Sequence, residues 1–367
     1  MFQRAHRVKL TLIILTFLIS SVSCATRAEV AQASGAKSTA SVVSPQLAEL
    51  RLELARHYLE PAPHMALAKY YLEQGDRLQA FYLLEYARRA RFPETEFNQA
   101  FQNSFGVNVD ASEERAGATL FDKGTALQKE GKLAQAEAAF VKAAELAPHS
   151  VDIQAWTGRF FYKVRQDNER ALRYYLNAYF LSPHAYETEF VESRIRKINW
   201  EVAAVRYRQL KQSGVPVEKI VSDANSNVIL QALEEMSASW NPSYLKLALE
   251  LMAHDDEGIR WQAADAIMKH ADRSFDPTLQ ALLKDNDLRK RGLAAYIAVH
   301  LWKEESFDTL RAMLGEDAEL LRFDALSALA MEGGNQSRQI ILQHRRRETN
   351  PTLKSMIDSM QKSLTNP

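Results

Sequence analysis

The segment IRWQAA at residues 259–264 returns as KRGLAA at residues 290–295 and as LRFDAL at residues 321–326. The arginine in its second place falls at Arg260, Arg291 and Arg322, which lie 31 residues apart. A constant period of this length is typical of solenoids, in which each copy shares its apolar face with the next one. This part of the chain therefore predicts a stack of helical hairpins that presents a surface, and not a closed catalytic domain.

The composition of the chain favours an all-α fold. Of its 367 residues, 46% are hydrophobic and 25% are charged, and only 13 are glycine and 11 are proline. Strong helix formers recur throughout, and β-branched runs bounded by turn residues are hard to find. The formal net charge is zero, which removes the general electrostatic argument for a nucleic-acid partner. We predict an all-α solenoid of helical hairpins that binds no nucleic acid.

Each copy of the six-residue pattern follows an apolar helix and an acidic turn. The turns contain Asp255 and Asp256 in the first copy, Asp285, Asn286 and Asp287 in the second, and Glu316 and Asp317 in the third. This order resembles HEAT repeats over residues 243–331. A degraded fourth copy at residues 339–362 is typical of a terminal cap. Residues 241–367 are thus expected to form a HEAT-like array with a C-terminal cap.

The arginines of this array are expected to pair with turn acids in their own or the neighbouring repeat. Each lies five residues after Asp255, Asn286 or Asp317. Turn acids can also accept hydrogen bonds from the free N–H groups that open the next helix. The middle rung is expected to be weaker unless Asp285 or Asp287 replaces Asn286. The predicted structural ladder consists of Asp255, Arg260, Arg291, Asp317 and Arg322.

A second pattern of small and aromatic residues occupies the first half of the chain. It is clearest in Gly124, Leu127, Gly131, Ala136, Phe140, Ala143 and Pro148. It returns as Gly158, Phe161, Ala171, Tyr175, Ala178 and Pro183, with one additional residue in the inter-helix turn, and more loosely as Leu67, Ala68, Tyr71, Gly75, Ala80, Leu84 and Ala87. The pattern resembles the tetratricopeptide repeat, whose small residues let two helices cross closely. We predict a tetratricopeptide-like (TPR-like) array over residues 45–184, interrupted near residues 94–117, and a helical bridge over residues 185–240.

The tetratricopeptide resemblance implies a partner-binding groove, because in that family the first helix of each unit lines the concave surface. The implied groove residues are Lys69 from the loose unit, Phe121, Thr125, Gln128 and Lys129 from the second unit, and Arg159, Tyr162 and Lys163 from the third. Cations beside an aromatic ring could receive a carboxylate or an acidic peptide and pack against its apolar part. An ordinary solvated helix face is the alternative interpretation.

The first 25 residues have the three parts of a secretory signal peptide, with a basic start, an apolar run and a segment of small residues. The only cysteine, Cys24, resembles the lipid-bearing cysteine of bacterial lipoproteins, although Ser21 stands where that family usually has leucine. Residues 26–44 are predicted to be a flexible tether. We expect an exported, periplasmic protein that is lipidated at Cys24 and attached to a membrane, with a soluble periplasmic protein as the alternative.

The sequence contains none of the spacings that mark serine hydrolases, phosphate-binding loops, zinc proteases or calcium loops. We therefore predict no catalytic residue, no cofactor and no metal. His149 and His184 follow the closing proline of adjacent repeats and are expected to be polar turn residues, with a metal ladder as the less favoured interpretation.

Together these features predict a non-enzymatic scaffold or adaptor of the bacterial cell envelope that binds protein or peptide partners. The alternative is a peptidoglycan- or carbohydrate-binding protein, or an α-helical glycan hydrolase. Such a protein would use the rings of Phe121, Trp156 and Tyr162. The sequence leaves the oligomeric state open.

Overall fold

The computed structural model describes residues 44–90, 92–107, 111–182 and 186–365, and most of these residues are helical. No strand occurs in these ranges, and neighbouring helices pack on one another, which confirms the predicted all-α helical-repeat array. The predicted signal peptide, Cys24 and nearly all of the predicted tether lie outside the described residues. Within the described ranges, none of the helices combines the length with the hydropathy that a membrane crossing would require.

The first half of the described chain forms nine α-helices with one π-helical turn. The helices are α1 (Pro45–Arg56), α2 (Pro61–Glu73), α3 (Arg77–Ala90), α4 (Glu94–Phe105), α5 (Ala111–Lys129), α6 (Leu133–Leu146), α7 (Val151–Phe160), α8 (Asn168–Leu181) and α9 (Tyr186–Gln212). The π-helical turn, Phe161–Arg165, directly follows α7.

The second half of the described chain contains shorter helices. They are α10 (Val217–Ile220), α11 (Ser226–Ala238), α12 (Tyr244–Leu251), α13 (Glu257–His270), α14 (Asp276–Leu282), α15 (Leu288–Trp302), α16 (Phe307–Met313), α17 (Glu319–Glu332), α18 (Asn335–Arg345) and α19 (Pro351–Thr365). Turns of 3-10 helix, Arg273–Phe275 and Lys303–Ser306, precede α14 and α16.

Local sequence explains where several of these helices begin. The Ser44 hydroxyl accepts the backbone N–H of Leu47 at 3.1 Å, and proline follows it at the first position of α1. Asp256 caps α13 in the same way, since its carboxylate accepts the N–H of Gly258 at 2.8 Å. Side chains of this kind satisfy N–H groups that have no partner inside the helix.

The two hairpins formed by α5 with α6 and by α7 with α8 cross where the sequence has glycine. A Cβ atom on Gly124 would lie 3.0 Å from the ring of Phe140, and one on Gly158 would lie 3.2 Å from the ring of Tyr175. Any larger side chain at these two positions would push the paired helices apart. The small residues of the TPR-like pattern thus have the packing role for which they were singled out.

The first helix of each TPR-like unit is followed by one residue with left-handed backbone. Gly75 and Gly131 have φ angles of 80° and 75°, and Gln166 takes the corresponding place with a φ angle of 53°. The additional residue of the third unit is accommodated in the π-helical turn Phe161–Arg165, and not in the loop that follows it. Such single π turns are rare in proteins overall, and those that do occur are often found at functional sites.

The first hairpin, α2 with α3, does not stack directly on α5 and α6. Helix α4 packs on α2 instead, with its phenylalanines Phe97 and Phe101 fully buried. Helix α3 contacts α8, where the ring of Phe81 lies 4.8 Å from the ring of Tyr179, and the Tyr82 hydroxyl of α3 accepts the Asn199 amide of α9 at 2.9 Å. The loose unit therefore lies against the far side of the third unit, and the chain order of the repeats is not their order in space.

The second half is arranged as hairpins whose second helices form a row. The hairpins pair α12 with α13, α14 with α15, α16 with α17, and α18 with α19. The row runs through α11, α13, α15, α17 and α19, each of which contacts the next. Helix α9 contacts both α7 and α11, so it joins this row to the TPR-like hairpins.

The N-terminal helix α1 packs against α15 and α17, which lie near the other end of the chain. Ala55, Tyr58 and Leu59, at the end of α1 and just after it, are buried in the same apolar core as the HEAT-like helices. The Tyr58 ring lies 5.5 Å from the ring of Phe323. Burial of these side chains fixes the first described helix to the last third of the fold.

Candidate functional site

Two of the three ladder arginines, Arg260 and Arg322, contact the turn of their own repeat through backbone carbonyl groups. Arg260 Nη1 donates to the carbonyl oxygens of His254 at 2.7 Å and Asp255 at 3.0 Å. Arg322 Nη1 repeats this geometry with the carbonyl oxygens of Glu316 at 2.9 Å and Asp317 at 2.7 Å. The prediction that Arg260 and Arg322 pair with the Asp255 and Asp317 carboxylates is therefore wrong. A guanidinium reaches both carbonyls at once because its N–H groups form a rigid fork.

The acid partners of Arg291 and Arg322 lie in the neighbouring repeat. Arg291 pairs with Glu316, a turn acid of the next repeat, and not with Asp285 or Asp287 of its own turn. Arg322 Nε donates at 3.0 Å to Glu348, a buried carboxylate of the following hairpin. Each of these two pairs links one hairpin to the next one. Glu316 is a turn acid of the repeated pattern, whereas Glu348 was not singled out by the period.

The Asp255 carboxylate is the centre of a buried polar cluster that we call the clasp, formed by Arg51, Tyr71, Asp255, Asp287 and Arg289. Arg51 Nε donates to Asp255 Oδ1 at 2.7 Å, Arg289 Nη1 donates to the same oxygen at 2.6 Å, and the Tyr71 hydroxyl donates to Oδ2. Arg289 also donates from Nη2 to Asp287 at 2.6 Å. The clasp thus joins α1 and α2 to the first two HEAT-like turns.

Burial and the neighbouring charges act in opposite directions on the pKa of the Asp255 carboxyl group. Burial alone would raise the pKa of Asp255, but the hydrogen bonds from Arg51 and the charge of Arg289 outweigh burial and hold that pKa below its ordinary value. Burial and the neighbouring carboxylate raise the pKa of Tyr71 well above its usual range, so Tyr71 stays a neutral donor. The two arginines and two aspartates of the clasp therefore form a closed, neutral set at neutral pH.

Further contacts continue the attachment of the N-terminal segment to the HEAT-like helices. The Tyr58 hydroxyl donates to Glu257 at 3.1 Å, and the backbone N–H of Leu59 donates to Glu319 at 3.0 Å. Glu319 also accepts the Asn350 amide at 2.6 Å. Sequence reasoning singled out Asp255 and Asp287 as ladder acids but placed no other residue at this interface, because no local pattern links residues so far apart in the chain.

The predicted groove residues of the second and third units lie on α5, α7 and the π turn, in helices that contact one another. The Phe121 ring packs 5.1 Å from that of Phe140, and the Thr125 hydroxyl donates to the Phe121 carbonyl, so both are engaged within the hairpin. Gln128 is half-buried and Lys129 is exposed. Lys69 lies apart from them on α2, which packs mainly against α1, α3 and α4.

The third unit carries a surface that we call the aromatic–cationic face, formed by Trp156, Arg159, Tyr162, Lys163 and Arg194. The Arg159 guanidinium lies 4.6 Å from the centre of the Trp156 ring. Lys163 Nζ lies 5.0 Å, and the Arg194 guanidinium 5.7 Å, from the centre of the Tyr162 ring. Trp156 is 40% exposed. Within the described part of the chain, Arg159 and Lys163 form no ion pair with an acidic side chain.

A buried hydroxyl lies behind the aromatic–cationic face. Tyr175 is fully buried, and its hydroxyl has no hydrogen-bond partner among the described residues. Burial raises its pKa to about 12, although the charges of Arg194 and Arg159 act in the opposite direction. The hydroxyl is therefore a neutral donor close to two cations. Leaving a buried hydroxyl unpaired costs about 1–3 kcal/mol, so an incoming acceptor would be favoured there.

The histidines of the repeat corners do not form a metal site in the part of the chain that is described. His149 is half-buried, whereas His184 lies outside the described residues. Across the described ranges, no three side chains of the His, Cys, Asp and Glu types come together as a metal-binding group.

No protein-family model matches the chain, and a search among curated proteins finds no significant match. The tetratricopeptide and HEAT resemblances therefore stay predictions.

Proposed function

We propose that this protein is a non-enzymatic binding protein that holds an acidic peptide segment of a partner on the aromatic–cationic face. The observation that supports the proposal is that Arg159 and Lys163 lie over the rings of Trp156 and Tyr162 and pair with no acidic side chain among the described residues. Contact with the rings restrains both cations before any ligand arrives, which lowers the ordering cost of binding. The cations attract carboxylates, and the exposed part of the Trp156 ring offers apolar contact.

The buried hydroxyl supports the same ligand chemistry. A carboxylate placed between Arg159 and Arg194 would supply the acceptor that Tyr175 lacks. Three donors of this kind favour an oxyanion, and neither a neutral sugar ring nor a cation satisfies them as well. Rigid helices carry all of these side chains, so the surface is formed before binding and recognition needs no catalytic group.

The cell envelope is the proposed location, and the support for it is the signal-peptide composition of residues 1–25 together with Cys24. A protein that is lipidated at Cys24 would hold its helical repeats beside a membrane. Replacing Cys24 with serine should then release the protein from the membrane fraction and remove the mass of the acyl chains. Unchanged membrane retention with unchanged mass would contradict lipidation and leave peptide binding unaffected.

The binding proposal is tested with fluorescein-labelled peptides in which glutamate alternates with leucine or phenylalanine. The full chain carrying Arg159→Gln and Lys163→Gln is compared with a control carrying Lys246→Gln and Lys284→Gln, two exposed lysines of the HEAT-like half. Each charge-assisted hydrogen bond contributes about 1.5–3 kcal/mol, so the first variant should bind at least about tenfold more weakly. The control should bind as the unaltered protein does.

Two further measurements decide between ligand classes. Peptides with glutamine in place of glutamate should lose binding, and added salt should weaken binding of the acidic peptides. Equal binding of both peptide series, or equal loss in both protein variants, would refute the proposal. If soluble peptidoglycan fragments bind instead, and Trp156→Ala and Tyr162→Ala abolish that binding, the carbohydrate-binding alternative replaces it.

A further inference from the structure

A polar cleft of about 390 Å³ lies beside the clasp, and Arg51, Tyr71 and Asp255 belong to both. Its walls come from α1, the turn between α2 and α3, the loop before α11, and the turn between α12 and α13. The volume falls within the range that small-molecule sites usually occupy. Acidic side chains dominate its lining, namely Asp76, Asp223, Glu250 and Asp255.

Two of these acids have no strong cationic partner. Asp255 is neutralised within the clasp, and Asp223 accepts Arg206 Nε at 2.6 Å. Asp76 uses one oxygen to accept the backbone N–H of Gln79 at 3.0 Å and forms no ion pair among the described residues. Glu250 has only Lys246 Nζ, at 4.0 Å and largely exposed. The cleft therefore carries negative charge that the described side chains do not compensate.

The neighbouring histidine does not supply the missing positive charge. The backbone N–H of Asp256 donates to His254 Nδ1 at 2.9 Å, which places the ring proton on Nε2. Burial lowers the pKa of His254 further than the nearby acids raise it. His254 is therefore neutral at neutral pH, and the acidic character of the cleft is preserved.

An unsatisfied donor also borders the cleft. Gln79 is 8% exposed, and its Nε2 has no acceptor among the described residues. Its Oε1 accepts the Ser226 hydroxyl at 3.4 Å. A buried amide without an acceptor is unfavourable. A ligand with a carbonyl or carboxylate oxygen would supply the acceptor that Gln79 Nε2 lacks.

We propose that this cleft binds the ammonium or guanidinium group of an organic cation that also carries a carbonyl or carboxylate oxygen. Asp76 and Glu250 receive the cation, and Gln79 donates to the oxygen. Basic amino acids and basic residues of a peptide share this chemistry. The site is independent of the aromatic–cationic face, which has the opposite charge preference. An experiment that refutes binding at one of the two sites therefore leaves the proposal for the other site unaffected.

The test is calorimetric titration of the full chain with Nα-acetyl-L-arginine amide, below called arginine amide, and with Nα-acetyl-L-citrulline amide, below called citrulline amide, which is a neutral analogue of the same shape. The protein variant Asp76→Asn with Glu250→Gln removes both charges, and asparagine can still cap α3. Its control, Glu218→Gln with Glu304→Gln, removes two exposed acids that do not belong to the lining. Arginine amide should bind, citrulline amide should not, and the cleft variant should weaken binding about tenfold or more while the control does not.

Two further arms identify the role of the amide and the source of the cation. Gln79→Met should weaken the binding of arginine amide. It should leave the binding of spermidine unchanged, because spermidine has no carbonyl oxygen. A peptide with one internal arginine that binds more tightly than arginine amide would assign the cleft to a partner protein, and the reverse order would assign it to a free metabolite. Absence of arginine amide binding, equal binding of citrulline amide, or an unaffected cleft variant each overturns the proposal.

Discussion

Replacing Asp255 with asparagine should destabilise the fold far more than an ordinary change of surface charge. The Asp255 side chain is 5% exposed, and the side chains of Arg289 and Arg51 that it neutralises are 9% and 21% exposed. Asparagine keeps the shape and removes the charge, which leaves two partly buried guanidinium groups uncompensated. Removing one partner of a buried ion pair costs about 3–5 kcal/mol.

The expected change in urea unfolding follows from that energy. For a chain of this size the dependence of unfolding free energy on urea is about 3 kcal/mol per molar, so the midpoint should fall by about 1–1.7 M. Far-ultraviolet circular dichroism and tryptophan fluorescence should report the same shift. The matched control is Asp265→Asn, which breaks a pair with Lys269 whose side chains are 43% and 55% exposed. That change should cost about 0.2–1 kcal/mol.

The clasp also predicts how stability depends on pH. Because the pKa of Asp255 is below its ordinary value of 3.8 in the folded protein, its contribution is fully present above that value and is lost as the pH falls through the folded pKa. The asparagine variant should lose less stability over this acidic range than the unaltered protein. Equal midpoints for Asp255→Asn and Asp265→Asn at neutral pH would refute the clasp as a stabilising contact.

Two further changes probe the HEAT-like packing. Gly292→Ala should lower the thermal midpoint by the equivalent of about 1–3 kcal/mol, because its Cβ would lie 2.0 Å from the Asp324 carboxylate, whereas Gly315→Ala should change it little. Arg322→Ala should cost about 3–5 kcal/mol because its acid partner is buried, whereas Arg291→Ala should cost about 0.2–1 kcal/mol because its partner is 36% exposed. Equal urea midpoints for the two arginine variants would contradict this order.

The helical hairpins could be predicted because their signals are local. Gly124 and Gly158 permit close crossings within single hairpins, and Gly75 and Gly131 end helices, so a short window of sequence contains each cause together with its effect. The period of the arginines likewise indicated which residues occupy equivalent places. Arg260 and Arg322 do make equivalent contacts.

The partners of those residues were harder to predict. The period identifies Arg322 but not Glu348, which belongs to a degraded repeat where the pattern fades. It identifies Arg291 and passes over Arg289, although Arg289 is the one that reaches Asp255. Side chains two positions apart on a helix point in different directions, and which of them meets an acid depends on how neighbouring hairpins are placed.

Amino-acid type and short-range spacing were sufficient for the all-α class and the repeat units, because helix propensity, close crossings and helix ends act over a few residues. The attachment of α1 to α15 and α17, the clasp around Asp255, and the acidic cleft beside it depend on segments from opposite ends of the chain. Such contacts depend on how the intervening hairpins are packed. Their free energy comes from burial and charge pairing between surfaces that no local pattern describes.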